Sequence, residues 1–171
     1  MAMKAVKHDE AVHAGHEDAG IRKELIAGLN GGNAHAKLED VLKNFPAKLR
    51  GEKAGLAYSA WQLLEHIRIA QDDIVRFSDN HKGTYKEMKW PDDYWPKEAA
   101  PPSAKAWDAS VAAVRADCDA MIRLLEKGSL TEPFPWGAGQ TLMREAITLI
   151  DHNSYHAGEL LALRRLLGIW P

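Results

Sequence analysis

The chain has 171 residues, the length of one ordinary domain, and can bury a core without disulfides or a structural metal. Lys and Arg total 22 against 24 Asp and Glu, a net charge of −2. That balance argues against a dedicated nucleic-acid binder and gives no electrostatic hold on a membrane. The single cysteine, Cys118, excludes an intrachain disulfide and the cysteine-rich zinc motifs, so any bound metal must rest mostly on His, Asp or Glu.

Residues 1–18 are polar, alanine-rich and weakly periodic. They read as a flexible arm carrying His8, His13 and His16 as solvated side chains, ahead of a single domain over 19–171. No apolar run approaches the ~20 residues of a membrane span, and no apolar signal region opens the chain, so a cytoplasmic location is expected. Residues 21–29 predict a short helix stopped at Gly31-Gly32. Asn33 is placed to cap a second segment, with Leu38, Val41, Leu42 and Phe45 at helical spacing and Pro46 ending it.

Ser59 with Gln62 is a capping-box pair, and the helix behind it carries Leu63, Ile67, Ala70, Ile74 and Phe77 on one face. It dissolves near Asp79-Asn80. The connection over 80–102, rich in Trp, Tyr and Pro, is too long to be incidental in a compact domain. Ser103 then caps a helix with Trp107, Val111, Val114, Cys118, Ile122 and Leu125 in register, ending at Gly128. A second irregular stretch, 128–140, leads to Thr141 and the longest helix, which runs to Leu167. The expectation is an all-α four-helix bundle with a short N-terminal helix.

The last helix repays closer inspection. Its stripe runs Leu142, Leu149, His156, Leu163, so a histidine stands where the period asks for an apolar residue. His152 lies one turn earlier on much the same face, and two imidazoles four residues apart can share one cation. His66 is the same anomaly on the 59–78 helix, beside Leu63, Ile67 and Ala70. Facing helices of a bundle can jointly supply metal ligands, and three neutral nitrogens leave a coordination position open for water or substrate. Patterning alone leaves a second reading standing, in which the three are hydrogen-bonded core residues.

With WQLLEH at 61–66 and DHNSYHAGELLALRRLLGIW at 151–170, the sequence resembles the DinB-like (YfiT-like) metalloenzymes over roughly residues 33–170. The resemblance implies a four-helix bundle with a long crossover connection and a divalent metal, zinc or nickel, held by three histidines. The matching positions are His66, His152 and His156. It also implies a homodimer, and a small-molecule substrate handled with a low-molecular-weight thiol in an S-transferase type of reaction. A metal-dependent hydrolase and a non-catalytic metal-binding stress-response protein are the alternatives.

A metal held this way lowers the pKa of a bound water, or stabilises a coordinated thiolate. Cys118 sits on an apolar stripe and reads as packing. Glu159, three after His156, is the weak catalytic candidate, with Glu65, Asp151, Asn153, Tyr155 and His35 as lesser neighbours. Trp90, Tyr94, Trp95 and Trp136 suit either a pocket rim over the open metal position or a cover for the end of the bundle, while Trp61 and Trp107 suit the core. Arg68, Arg164 and Arg165 are read as exposed cations.

Overall fold

The computed structural model describes residues 18–170, so His8, His13 and His16 lie outside it. Among the described residues there is no strand, only an isolated antiparallel bridge between Pro133 and Thr141. The described residues form five α-helices in succession: α1 over 18–30, α2 Leu38–Leu42, α3 Ala60–Ser78, α4 Ala104–Lys127 and α5 Leu142–Leu166. Short 3-10 turns occupy Ala47–Leu49 and Asn80–Lys82.

The helix starts obey local chemistry. At α3, Ser59 accepts from the Gln62 amide while the Gln62 side chain accepts from the Ser59 amide, both at 3.2 Å. This satisfies two otherwise orphaned donors at once. Ser103 and Thr141 cap α4 and α5 in the simpler way, each accepting from the amide three residues on.

Two of the sequence expectations need correction. The N-terminal helix is longer than residues 21–29: Asp18 is already helical and pairs with Arg22 at 2.7 Å. The segment expected to run from Asn33 to Phe45 supplies only the five residues of α2, with Lys37 rather than Asn33 at the N-cap position and no side-chain cap there. Gly31 and Gly32 sit at φ of 68° and 89°, and Asn44 at 54°, so the backbone turns away at both ends. The buried guanidinium of Arg164 accounts for the rest. It donates to the carbonyls of Val41 (2.9 Å) and Lys43 (3.1 Å), replacing the helical partners those groups lack.

The apolar side chains gather in two clusters. One joins Val41, Leu42 and Phe45 to Leu63, Leu64 and Ile67 of α3, Trp107 and Val114 of α4, and Leu160 and Leu163 of α5. The other joins Leu25 and Leu29 of α1 to Met121 and Leu125 of α4 and Leu142, Ala146 and Leu149 of α5. Each fully buried leucine contributes roughly 2 kcal/mol, so α3 and α5 are held firmly against each other. Along α5 the buried members of the second cluster end at Leu149 and those of the first begin at Leu160, with His152 and His156 in the interval.

Candidate metal centre

In that interval three imidazoles converge. His66 is 2% exposed and His156 6%, and His152 is half-buried between them. One ligand atom from each can be chosen so that all three lie within 4.8 Å of one another. The ring centroids stand 4.5 to 4.9 Å apart in all three pairs. His66 Nε2 and His152 Nε2 are 3.1 Å apart. Two nitrogens on one tetrahedral zinc, each ~2.05 Å from it, stand roughly 3.3 Å apart, so the spacing fits a shared ion.

Neighbouring groups determine which ring nitrogens are free. His66 Nδ1 faces the backbone carbonyl of Tyr94 at 2.9 Å, and a carbonyl can only accept. The proton is therefore on Nδ1, and the Nε2 lone pair points into the cluster. His156 Nδ1 likewise donates to Glu159 Oε2 at 2.6 Å, which frees its Nε2. Carboxylate and carbonyl partners of this kind orient metal-binding imidazoles.

All three rings are held neutral, which is the form that binds a metal. Burial, followed by the neighbouring imidazoles, pushes His152 down to about 4. Burial and His66 do the same to His156, so the Glu159 contact orients a neutral ring. His66 is lowered by burial against a smaller opposing pull from the Tyr94 carbonyl. On donor type, spacing and protonation, the residues present fit a divalent cation.

The long connection after α3 forms the wall over the cluster. Trp95 stacks flat on His66, with centroids 3.8 Å apart, and Tyr58 stacks on the far face of Trp95 at 3.9 Å. The Tyr94 hydroxyl donates to Asp73 Oδ2 at 2.6 Å. Between this wall and α5 lies an open groove of about 460 Å³, bordered by Trp90, Tyr94, Tyr155, Asp73 and Glu159 with the histidines at its base. A volume of this order suits a small molecule.

The other candidates sort plainly. Trp90, Tyr94, Trp95 and Tyr155 border the groove as expected for a rim, but Trp136 does not. It packs against Phe134 and donates to the Phe77 carbonyl at 2.8 Å, at the end of α3. Glu65 pairs with Arg68 at 2.9 Å and accepts from Ser110, so it faces α4. Asn153 donates to Gln71, and Asp151 is exposed.

His35 is exposed and borders a smaller cavity of about 240 Å³ on another side of α5, away from the cluster. Arg164, read from sequence as exposed, is buried between Phe45 and Trp170. Trp61 and Trp107 are in the core. Cys118 donates to the Leu29 carbonyl, and burial pushes its thiol up to about 11, which leaves it inert at neutral pH. Asp73 is the site residue that sequence reasoning missed. It lies seven after His66 on the same face of α3, and a carboxylate on a buried face was the available signal.

A family model for the DinB superfamily matches residues 33–160, about three quarters of the chain, spanning all three histidines. Comparison with curated proteins and with solved structures finds no significant match. The family match covers α2 to α4 and α5 as far as residue 160, with all three histidines inside it; this chain belongs to the DinB superfamily.

Proposed function

We propose that the chain is a divalent-metal-dependent enzyme, with zinc or nickel held by His66, His152 and His156 and one side of the site facing the groove. The observation that carries this reading is the shared orientation of the cluster: two rings are fixed through Nδ1 by Tyr94 and Glu159, so their Nε2 lone pairs face a common centre. A divalent ion there supplies Lewis acidity, which makes a small nucleophile available at neutral pH. The reading favours a low-molecular-weight thiol as that nucleophile, in an S-transferase type of reaction, with hydrolysis as the neighbouring possibility.

The chain's own side chains do the remaining work. Trp95 and Tyr58 exclude water from one face of His66, and Asp73 holds the Tyr94 wall in place. Glu159, at the groove edge and 2.6 Å from His156, keeps that ring in one tautomer and stands close enough to exchange a proton with a substrate. The same reading takes α2, α3, α4 and α5 as a four-helix bundle with a long connection between α3 and α4, and α1 as a short helix ahead of it, forming one domain.

The test is metal content followed by turnover. Near-stoichiometric zinc or nickel in the purified protein, lost in His66→Ala, His152→Ala and His156→Ala, is the expected result. Metal-dependent consumption of a generic electrophile with at least one small thiol then separates the enzyme from a non-catalytic metal binder. Metal retained in all three variants overturns the site.

A further inference from the structure

The groove has a charge character that neither the metal nor the fold requires. Among the described residues that border it, two are acidic, Asp73 and Glu159, and none is Lys or Arg. Asp73 is 8% exposed; its Oδ2 takes the Tyr94 hydroxyl, while its Oδ1 has no hydrogen-bond partner. The nearest cation, Arg76, lies 3.8 Å from that oxygen and is bound more closely by Asp72 at 2.8 Å. The Arg68 guanidinium is committed to Glu65 on the α4 side. With the metal position taken by the ligand's reactive end, a carboxylate at its far end would meet no cationic side chain of the groove and two like charges.

The aromatic surface points the same way. Six large hydrophobic side chains stand exposed among the described residues, and three of them, Tyr58, Trp90 and Tyr155, border this one groove. Trp90 is 70% exposed beside His66, and Tyr155 is 66% exposed beside His156. Trp95 has both faces covered by Tyr58 and His66, so Trp90 and Tyr155 offer the free ring faces. Aromatic faces near carboxylates attract organic cations, through the ring quadrupole and through charge.

We propose that the groove selects an amine-bearing organic molecule, its apolar body against Trp90 and Tyr155 and its ammonium toward Asp73 and Glu159, and that it disfavours acids. This rests on the metal-enzyme reading for where the ligand's reactive end sits. It narrows the thiol or substrate to one whose far end is cationic and carries no carboxylate.

The test holds one end of the ligand constant. The full chain loaded with Co²⁺ is titrated with cysteamine, 2-mercaptoethanol and 3-mercaptopropionate, which share a thiol and differ at the far end. Affinity per thiolate is read from the sulfur-to-cobalt charge-transfer band. Cysteamine is expected to bind about tenfold more tightly than 3-mercaptopropionate, with 2-mercaptoethanol between them. In the Asp73→Asn/Glu159→Gln variant, checked first for cobalt uptake, the spread is expected to fall to about twofold or less. Equal affinities in the unmodified chain, or a preference for the acid, overturn the proposal and leave the metal site standing.

If cobalt does not bind, or binds without a thiol band, the metal or thiol part of the functional reading fails instead. The charge preference is then decided by tryptophan fluorescence of the same full chain with 2-phenylethylamine and 3-phenylpropionate. Tighter binding of the amine supports the proposal, and no preference or preference for the acid overturns it.

Discussion

Asp73 and Tyr94 are joined by a 2.6 Å hydrogen bond, and the backbone carbonyl of the same Tyr94 accepts from His66 Nδ1 at 2.9 Å. One residue of the long connection thus grips α3 twice, two helical turns apart, with the imidazole at one end and a buried carboxylate at the other. Burial, reinforced by Asp73, raises the Tyr94 phenol well above its ordinary value, so it remains a donor at any working pH. The prediction is that Tyr94→Phe, which keeps the carbonyl and removes the hydroxyl, weakens metal binding by roughly tenfold, as loss of an orienting partner does. Stability should fall by about 1–2 kcal/mol, since Asp73 loses its donor. Chelator competition and urea unfolding measure the two effects, and unchanged metal affinity would show that the clamp only anchors the loop.

His156 occupies a leucine position in all but chemistry. Its stripe partners Leu142, Leu149 and Leu163 are buried as it is, and the ring is kept neutral there at a desolvation cost. Replacing it by leucine should therefore stabilise the metal-free protein, raising Tm by a few degrees, while abolishing stoichiometric metal. Thermal melts in chelator, paired with metal analysis, check both halves. A fall in Tm comparable to that of His156→Ala would mean the imidazole is itself a packing element.

That stripe shows what was legible in the sequence. Period and capping are local, so Ser59, Ser103 and Thr141 marked the starts of α3, α4 and α5, and the misplaced histidines marked the cluster. The features that escaped are held by distant partners. Nothing near Leu38 announces that Arg164, over a hundred residues away, will satisfy the carbonyls of a five-residue helix. Asp73 was visible as a carboxylate on a buried face, but its partner lies in a loop with no period to read. Trp136 looked like Trp90 and Trp95 because composition carries no direction, and only the packing of Phe134 against Phe77 sends it elsewhere.

The Arg164 guanidinium makes three hydrogen bonds, to the carbonyls of Val41, Lys43 and Ile169, while lying over Phe45 and Trp170. Removing it leaves buried carbonyls without donors, so Arg164→Met is expected to cost about 2–4 kcal/mol despite its similar length. Lysine should recover little of this, because an ammonium cannot match a planar fork shared among separate acceptors. Urea midpoints of the three proteins decide it. Full rescue by lysine would show that charge, not the fork, holds α2 to α5.

Asp117 on α4 supplies a pH dependence independent of the metal. Burial, and then the carboxylate of Asp72, push it up to about 6 from an ordinary 3.8, with Arg68 and Arg76 opposing. A folded pKa above the unfolded one means the native state binds more protons between about pH 4 and 6. This residue's contribution is therefore complete below that window and is lost as pH rises through 6. Asp117→Asn should remove the slope and leave the protein more stable at pH 7, by on the order of 1 kcal/mol after solvent screening of a half-exposed group. Unfolding free energies of both proteins across pH 4–8 in the presence of chelator measure it. Parallel curves for the two would mean that Asp117 is ionised in the folded state throughout, with Arg68 and Arg76 outweighing its burial.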